Sequence, residues 1–139
     1  LSLFRRVREA DGLRLLGPER VFDALNNSVT NSGHRVIDKG PGVLRLNDGT
    51  AGRSGRRKIW VADWDGDGKL DLLVNSTNAN LLLQRSADEG RWAFEDVGPL
   101  VERNIRGHTT SPTVVDFNGD GKPDYLGGAE DGRMYYVRQ

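Results

Sequence analysis

Residues 63–71 read DWDGDGKLD and residues 116–124 read DFNGDGKPD, the same pattern 53 positions later. The likeness extends into both flanks. IWVADW precedes the first stretch and PTVVDF the second; LDLLVNS follows the first and PDYLGGA the second. NANLLLQRS then lines up with DGRMYYVRQ at the same offset of 53. The N-terminus joins the series: LSLFRR at 1–6 resembles LLLQRS at 81–86, and EADGLRLLGPERV resembles SADEGRWAFEDVGPLV. Few features constrain a fold as tightly, because a sequence written in units of about 50 residues must fold as serial copies of one supersecondary unit.

Each unit reads as short strands. Residues 58–63 are apolar and β-rich, and the acidic stretch turns the chain. Residues 70–75 form a second strand with Leu70, Leu72 and Val74 on one face. STNAN is a turn, residues 80–85 a third strand, and 92–97 a fourth with alternating Trp92, Phe94 and Asp96. The third unit is expected to have strands near 112–116, 123–127 and 133–138. With 18 glycines and no long helical pattern, the chain is expected to be all-β. Four antiparallel strands per unit is the pattern of a β-propeller blade. The expected organisation is one domain: a partial blade at 1–30, an inter-blade insertion at 31–57, a full blade at 58–104, and a blade lacking its outer strand at 105–139. The insertion contains HRVID and GVLRL, which are expected to pair as a hairpin.

Charge is balanced overall, with 20 basic and 20 acidic residues. No global field draws the chain to nucleic acid, and no apolar run reaches the length of a membrane span. The balance hides an asymmetry. Residues 31–58 hold seven bases against two acids, so this segment is net +5 and the remainder −5. Cysteine is absent, which excludes disulfides and thiolate metal sites.

The clustered carboxylates make chemical sense around a hard cation. A divalent ion of this kind takes six to eight oxygens at about 2.3–2.6 Å. Loop positions 1, 3, 5, 7 and 9 supply them: Asp63, Asp65, Asp67, the Lys69 carbonyl and Asp71 in the first copy, then Asp116, Asn118, Asp120, the Lys122 carbonyl and Asp124 in the second. Glycines at 66, 68, 119 and 121 permit the tight backbone. An all-oxygen set disfavours Zn²⁺ and Cu²⁺, and Mg²⁺ seldom uses a dedicated protein cage. Ca²⁺ is the expected ion, with two sites. An EF-hand is excluded, since position 12 is Val74 or Gly127 rather than Glu and the flanks are β-like. The plain alternative is an Asp/Gly turn that binds nothing.

The pattern VxDxDGDGxxDLLV, followed by a turn and an LLLQR or MYYVR strand, resembles the FG-GAP/VCBS repeat family. It is similar to the calcium-loop blades of integrin alpha subunits and of secreted bacterial proteins. The resemblance covers residues 57–139 well and 1–26 moderately, and leaves 31–57 uncovered. It implies a seven- or eight-bladed propeller of which this chain is a fragment, with Ca²⁺ loops between the first and second strands of a blade. It also implies a secreted protein, extracellular or periplasmic. The first residue is Leu rather than Met, so more chain is expected upstream.

Function is less determined than fold, because one scaffold serves many purposes. The leading expectation is a calcium-stabilised module that recognises a polysaccharide or a protein surface. The alternative is the scaffold of a carbohydrate-active enzyme, such as a lyase acting on uronate polymers. His34 with Arg35, and His108 with Arg106, are candidates to meet an acidic sugar; as loop histidines they also have a bland reading. Arg53, Arg56 and Arg57 are candidates for general attraction of a polyanion, or an ordinary solvated loop. Trp60 and Trp92 are expected in blade cores. Trp64 and Phe117, at the same loop position, are expected to pack between blades. The remaining partner expected is the rest of the propeller.

Overall fold

The turn at residues 89–90 sets the frame of the central sheet. Glu89 and Gly90 both take positive φ, 50° and 77°, the pairing that a two-residue hairpin turn requires. It joins two nine-residue strands whose ends meet at Asp88 and Arg91. The computed structural model describes residues 1–26, 28–30, 36–38, 40–46, 57–74, 79–101, 111–129 and 131–139, with the backbone alone described at 28–30 and 36–38. Among them there is no helix.

In chain order the strands are β1 (Leu3–Glu9), β2 (Gly12–Glu19), β3 (Phe22–Asn26), β4 (Ser28–Thr30), β5 (Val36–Asp38), β6 (Gly42–Val43), β7 (Ile59–Ala62), β8 (Asp71–Val74), β9 (Asn80–Asp88), β10 (Arg91–Pro99), β11 (Ser111–Val115), β12 (Asp124–Gly128) and β13 (Met134–Val137). Strands β7 to β10 form an antiparallel meander. Strands β11 to β13 repeat its first three members as a separate sheet. The β1–β2 hairpin, closed between Glu9 and Gly12, mirrors β9–β10.

Within 22–46, the described strands pair with one another and with β10. Strand β3 lies parallel to β10 and extends the meander, and β6 pairs on its far side. The sheet therefore runs β6-β3-β10-β9-β8-β7. Among the described residues, the expected hairpin between HRVID and GVLRL does not form. Strand β5, from the first segment, pairs with β4; β6, from the second, pairs with β3. The reason is burial: Leu44 and Ala24 sit in the core beside Leu72, Val74, Leu82 and Phe94. A local hairpin would leave that apolar face uncovered.

The centre of the meander feeds a buried cluster on each face. On one face Leu72, Val74, Leu82 and Phe94 cluster with Ala24 and Leu44, and Phe22, Leu46 and Trp92 pack against them. The other, with Trp64, Leu73, Ala79, Leu81 and Leu83, packs against Tyr125, Val114, Tyr135 and Val137 of the β11–β13 sheet. Alternating positions along β8 thus feed two cores, and all four of its residues are buried. Leu70, expected beside Leu72 and Val74, precedes β8 and is 57 % exposed. Trp60, expected in a core, is exposed on β7, the outermost strand of the sheet. Trp92 is half-buried and stacks on Phe22.

The repeat alignment needs one correction. Leu72 pairs with Leu82, but its counterpart Tyr125 pairs with Val137 rather than Tyr135. The third strand of the second copy is displaced by two residues, so Tyr136-Val137-Arg138-Gln139 corresponds to Leu81-Leu82-Leu83-Gln84. A shift of two keeps every side chain on its face, so hydrophobic alternation cannot detect it.

Candidate metal centre

The first acidic loop, residues 63–71, connects β7 to β8, and the second, 116–124, connects β11 to β12. Their backbones match: φ is 78° at Gly66 and 83° at Gly68, against 76° at Gly119 and 84° at Gly121. Such values are open to glycine and strained for other residues. The first aspartate of each loop organises the turn from inside. Asp63 accepts the Gly66 and Gly68 N–H groups at 2.9 and 3.0 Å. Asp116 accepts those of Gly119, Asp120 and Gly121 at 2.7, 3.0 and 2.9 Å.

The ninth position closes the loop. Asp71 is buried, and its two carboxylate oxygens accept the N–H groups of Trp64 and Gln84, both at 2.8 Å. Asp124 is buried too. It accepts the Phe117 N–H at 3.2 Å, the Gln139 N–H at 3.1 Å and the Tyr136 hydroxyl at 3.1 Å. Each aspartate so ties the start of its loop to the third strand of its sheet. Burial pushes the Asp71 carboxyl above the usual carboxylate range, while the two backbone donors oppose the rise. Desolvation, and then the Asp124 carboxylate, raise the Tyr136 hydroxyl.

Asp63, Asp65 and Asp71 bring one carboxylate oxygen each to within 4.8 Å of one another. That spacing suits oxygens grouped around one ion at about 2.3–2.6 Å, since two such radii span about 5 Å. The donors are hard oxygens, so the set fits Ca²⁺. The fifth-position Asp67 is not one of the three: it accepts the Lys69 N–H at 2.8 Å and its ammonium at 2.5 Å. That hydrogen-bonded ammonium, ahead of the backbone N–H, holds Asp67 below the usual carboxylate range. Arg85 stands 3.7 Å from Asp65.

The second loop is less acidic, with Asn118 in the place of Asp65. Asn118 accepts the Asp120 N–H at 2.9 Å and donates to the Asp120 carboxylate at 2.9 Å. Asp120 also accepts the Lys122 N–H and the Arg138 guanidinium, both at 3.0 Å. These donors, the Lys122 N–H foremost, hold Asp120 below the usual range. Among the described residues, the second loop gathers no three carboxylates as closely as the first.

Of the other candidates, His34, Arg35, Arg53, Arg56 and His108 lie outside the described residues, as does Arg106. Arg57 is half-buried at the start of the meander. Lys58 donates to Ser111 across the two sheets at 2.5 Å. Trp64 is buried between the sheets, as expected, whereas Phe117 is 63 % exposed and packs on Tyr136. Sequence reasoning missed Gln84 and Gln139. The signal available was a glutamine beside an arginine late in each third strand, LLLQR and YYVRQ.

Compared with known proteins, residues 63–127 match the family model described as the FG-GAP-like repeat. No curated protein and no solved structure matches the chain.

Proposed function

We propose, from the premise that residues 63–127 are an FG-GAP-like repeat, that the chain is a calcium-stiffened, β-propeller-like binding module. The observation that carries the reading is the convergence of Asp63, Asp65 and Asp71 in the loop that joins two strands of the central sheet. Those three residues hold the ion, with Asp67 and the Lys69 carbonyl available to complete its shell. Asp116, Asn118, Asp120, the Lys122 carbonyl and Asp124 form a second, weaker site with one carboxylate fewer. A bound cation supplies charge neutralisation to carboxylates that otherwise repel. The protein's part is to hold those carboxylates in place through the Gly66, Gly68, Trp64 and Gln84 amides.

Ligand recognition falls to the basic segment at 31–58, net +5, and its partner is an acidic glycan or an acidic protein surface. Loops on a rigid scaffold are where binding residues concentrate. The exposed apolar face of the β11–β13 sheet, with Val115, Phe117, Met134 and Tyr136, suits packing against a further repeat unit. Such a module acts outside the cytosol, where Ca²⁺ is abundant.

Calorimetric titration with Ca²⁺ tests the metal, and binding to uronate and sulfated glycans tests the ligand. The expected results are loss of the stronger of two calcium sites in Asp65→Ala, and glycan binding that weakens with salt and in a variant with Arg53, Arg56 and Arg57 changed to Ser. No calcium uptake overturns the first part. Salt-independent binding, or binding equal in the variant, overturns the second.

A further inference from the structure

Two observations meet at Trp64. Its place in the chain is between Asp63 and Asp65, so the two peptide groups flanking it set the spacing of both carboxylates. The first of these peptides donates its N–H to Asp71 at 2.8 Å. The second offers its carbonyl, and that carbonyl accepts the side-chain amide of Gln139 at 2.8 Å, from 75 residues away in the neighbouring sheet. Gln139 is held in turn by the second loop, because its own N–H donates to Asp124 at 3.1 Å. A continuous path therefore runs Asp71, Trp64, Gln139, Asp124, from the closing aspartate of one loop to that of the other. Both ends are buried, where polar groups are costly to leave unpaired, so the path cannot loosen at one end without consequence at the other.

We propose that Gln139 is a positioning residue for the first loop, and that through it calcium binding at residues 63–71 is coupled to the order of the β11–β13 sheet and its own loop. This inference rests on the calcium reading above. Gln139 touches no ion. It fixes the peptide between two ligands before an ion arrives, which lowers the ordering cost of binding. Coupling is reciprocal by thermodynamic necessity, so an ion in the first loop also holds the third strand of the second sheet in place.

The test uses the full chain, with Ca²⁺ as the only probe. Gln139→Leu removes the side-chain donor and keeps the backbone N–H on Asp124. Calorimetry should show calcium affinity weaker by about three- to tenfold, the scale of one hydrogen bond. Amide exchange should slow on adding Ca²⁺ in β12 and β13 of the parent chain, and slow less in Gln139→Leu. The control is Tyr135→Phe, which costs β13, just before Gln139, a hydrogen bond to Asp131 and leaves the Trp64 carbonyl's partner in place. Its calcium affinity should equal the parent's. Unchanged affinity in Gln139→Leu overturns the inference while leaving the calcium reading intact. An equal loss in Tyr135→Phe also overturns it, since general loosening would then be the cause. No calcium uptake by the parent chain overturns both.

Discussion

Asp71 and Asp65 sit in one loop and do different work. Asp65 is exposed, accepts the Asp67 N–H at 3.3 Å and lies near the Arg85 guanidinium, so its proposed role is that of an ion ligand. Asp71 is buried and satisfies two backbone donors, so it matters whether or not an ion is present. In excess chelator, Asp65→Ala should leave the melting temperature nearly unchanged. Asp71→Ala should cost about 1–3 kcal/mol for each N–H left unsatisfied, read as a lower urea midpoint. Equal effects in chelator would remove the distinction. A second residue-scale prediction concerns Tyr125 and Gly127, which follow one another on one face of β12. A Cβ at Gly127 would run into the Tyr125 ring and hydroxyl, whereas the first copy carries Leu72 and Val74 at the corresponding places. Large-over-small has replaced medium-over-medium. Gly127→Val should destabilise by about 1–3 kcal/mol through overpacking, and adding Tyr125→Leu should recover most of the loss in chemical denaturation. No recovery would mean that the two positions do not share volume.

At the scale of elements, the attachment of β3 to β10 is the feature most open to pH. Arg91 forks onto Asp23 at 2.6 and 2.8 Å, and the Arg91 hydrogen bond holds Asp23 below the usual carboxylate range. A depressed carboxyl stabilises the fold above its unfolded value, about 3.9, and the stabilisation is lost as pH falls through the folded value. The pair is exposed, so solvent screens it and its contribution is small. Stability should fall slightly more in the parent than in Arg91→Leu as pH drops from 7 through the acidic range. Identical pH profiles would show that the pair contributes nothing.

For the whole molecule, the uneven covering of its sheets matters most. The centre of the meander feeds a buried cluster on each face, while the β11–β13 sheet has one face on the meander and the other exposed, where Met134 is 75 % and Phe117 63 % accessible. Among the described residues β13 is an edge strand, and exposed apolar side chains beside such an edge invite association. The chain should sediment as a concentration-dependent mixture, and Phe117→Lys with Met134→Glu should shift it toward monomer. A parent that stays monomeric at high concentration would mean the patch is too small to drive contact. The proposed calcium site predicts an effect at the same scale: at ten times its dissociation constant, one bound ion would add about 1.4 kcal/mol to folding stability, so chelation should lower the melting temperature.

The all-β class, the strand order within each unit, the two glycine-shaped loops and the carboxylates at 63, 65 and 71 were all legible in the sequence. Each follows from local spacing: alternation for strands, Gly at positive φ, oxygens at odd loop positions. Three things were decided only by tertiary structure. Strands β3 and β6 extend the meander at its β10 edge, where Ala24 and Leu44 join the cluster of Leu72, Val74 and Phe94, and a nearby hairpin reading had no access to that long-range burial. The third strand of the second copy slid by two residues, a change that leaves the pattern of faces intact and shows only in cross-strand pairing. And Gln139 reached Trp64 from 75 residues away, because packing the two sheets through Trp64 and Tyr125 brought the end of one third strand against the other sheet's acidic loop. Local chemistry writes the elements and their loops, but contacts between distant segments are chosen by which apolar faces must be hidden together.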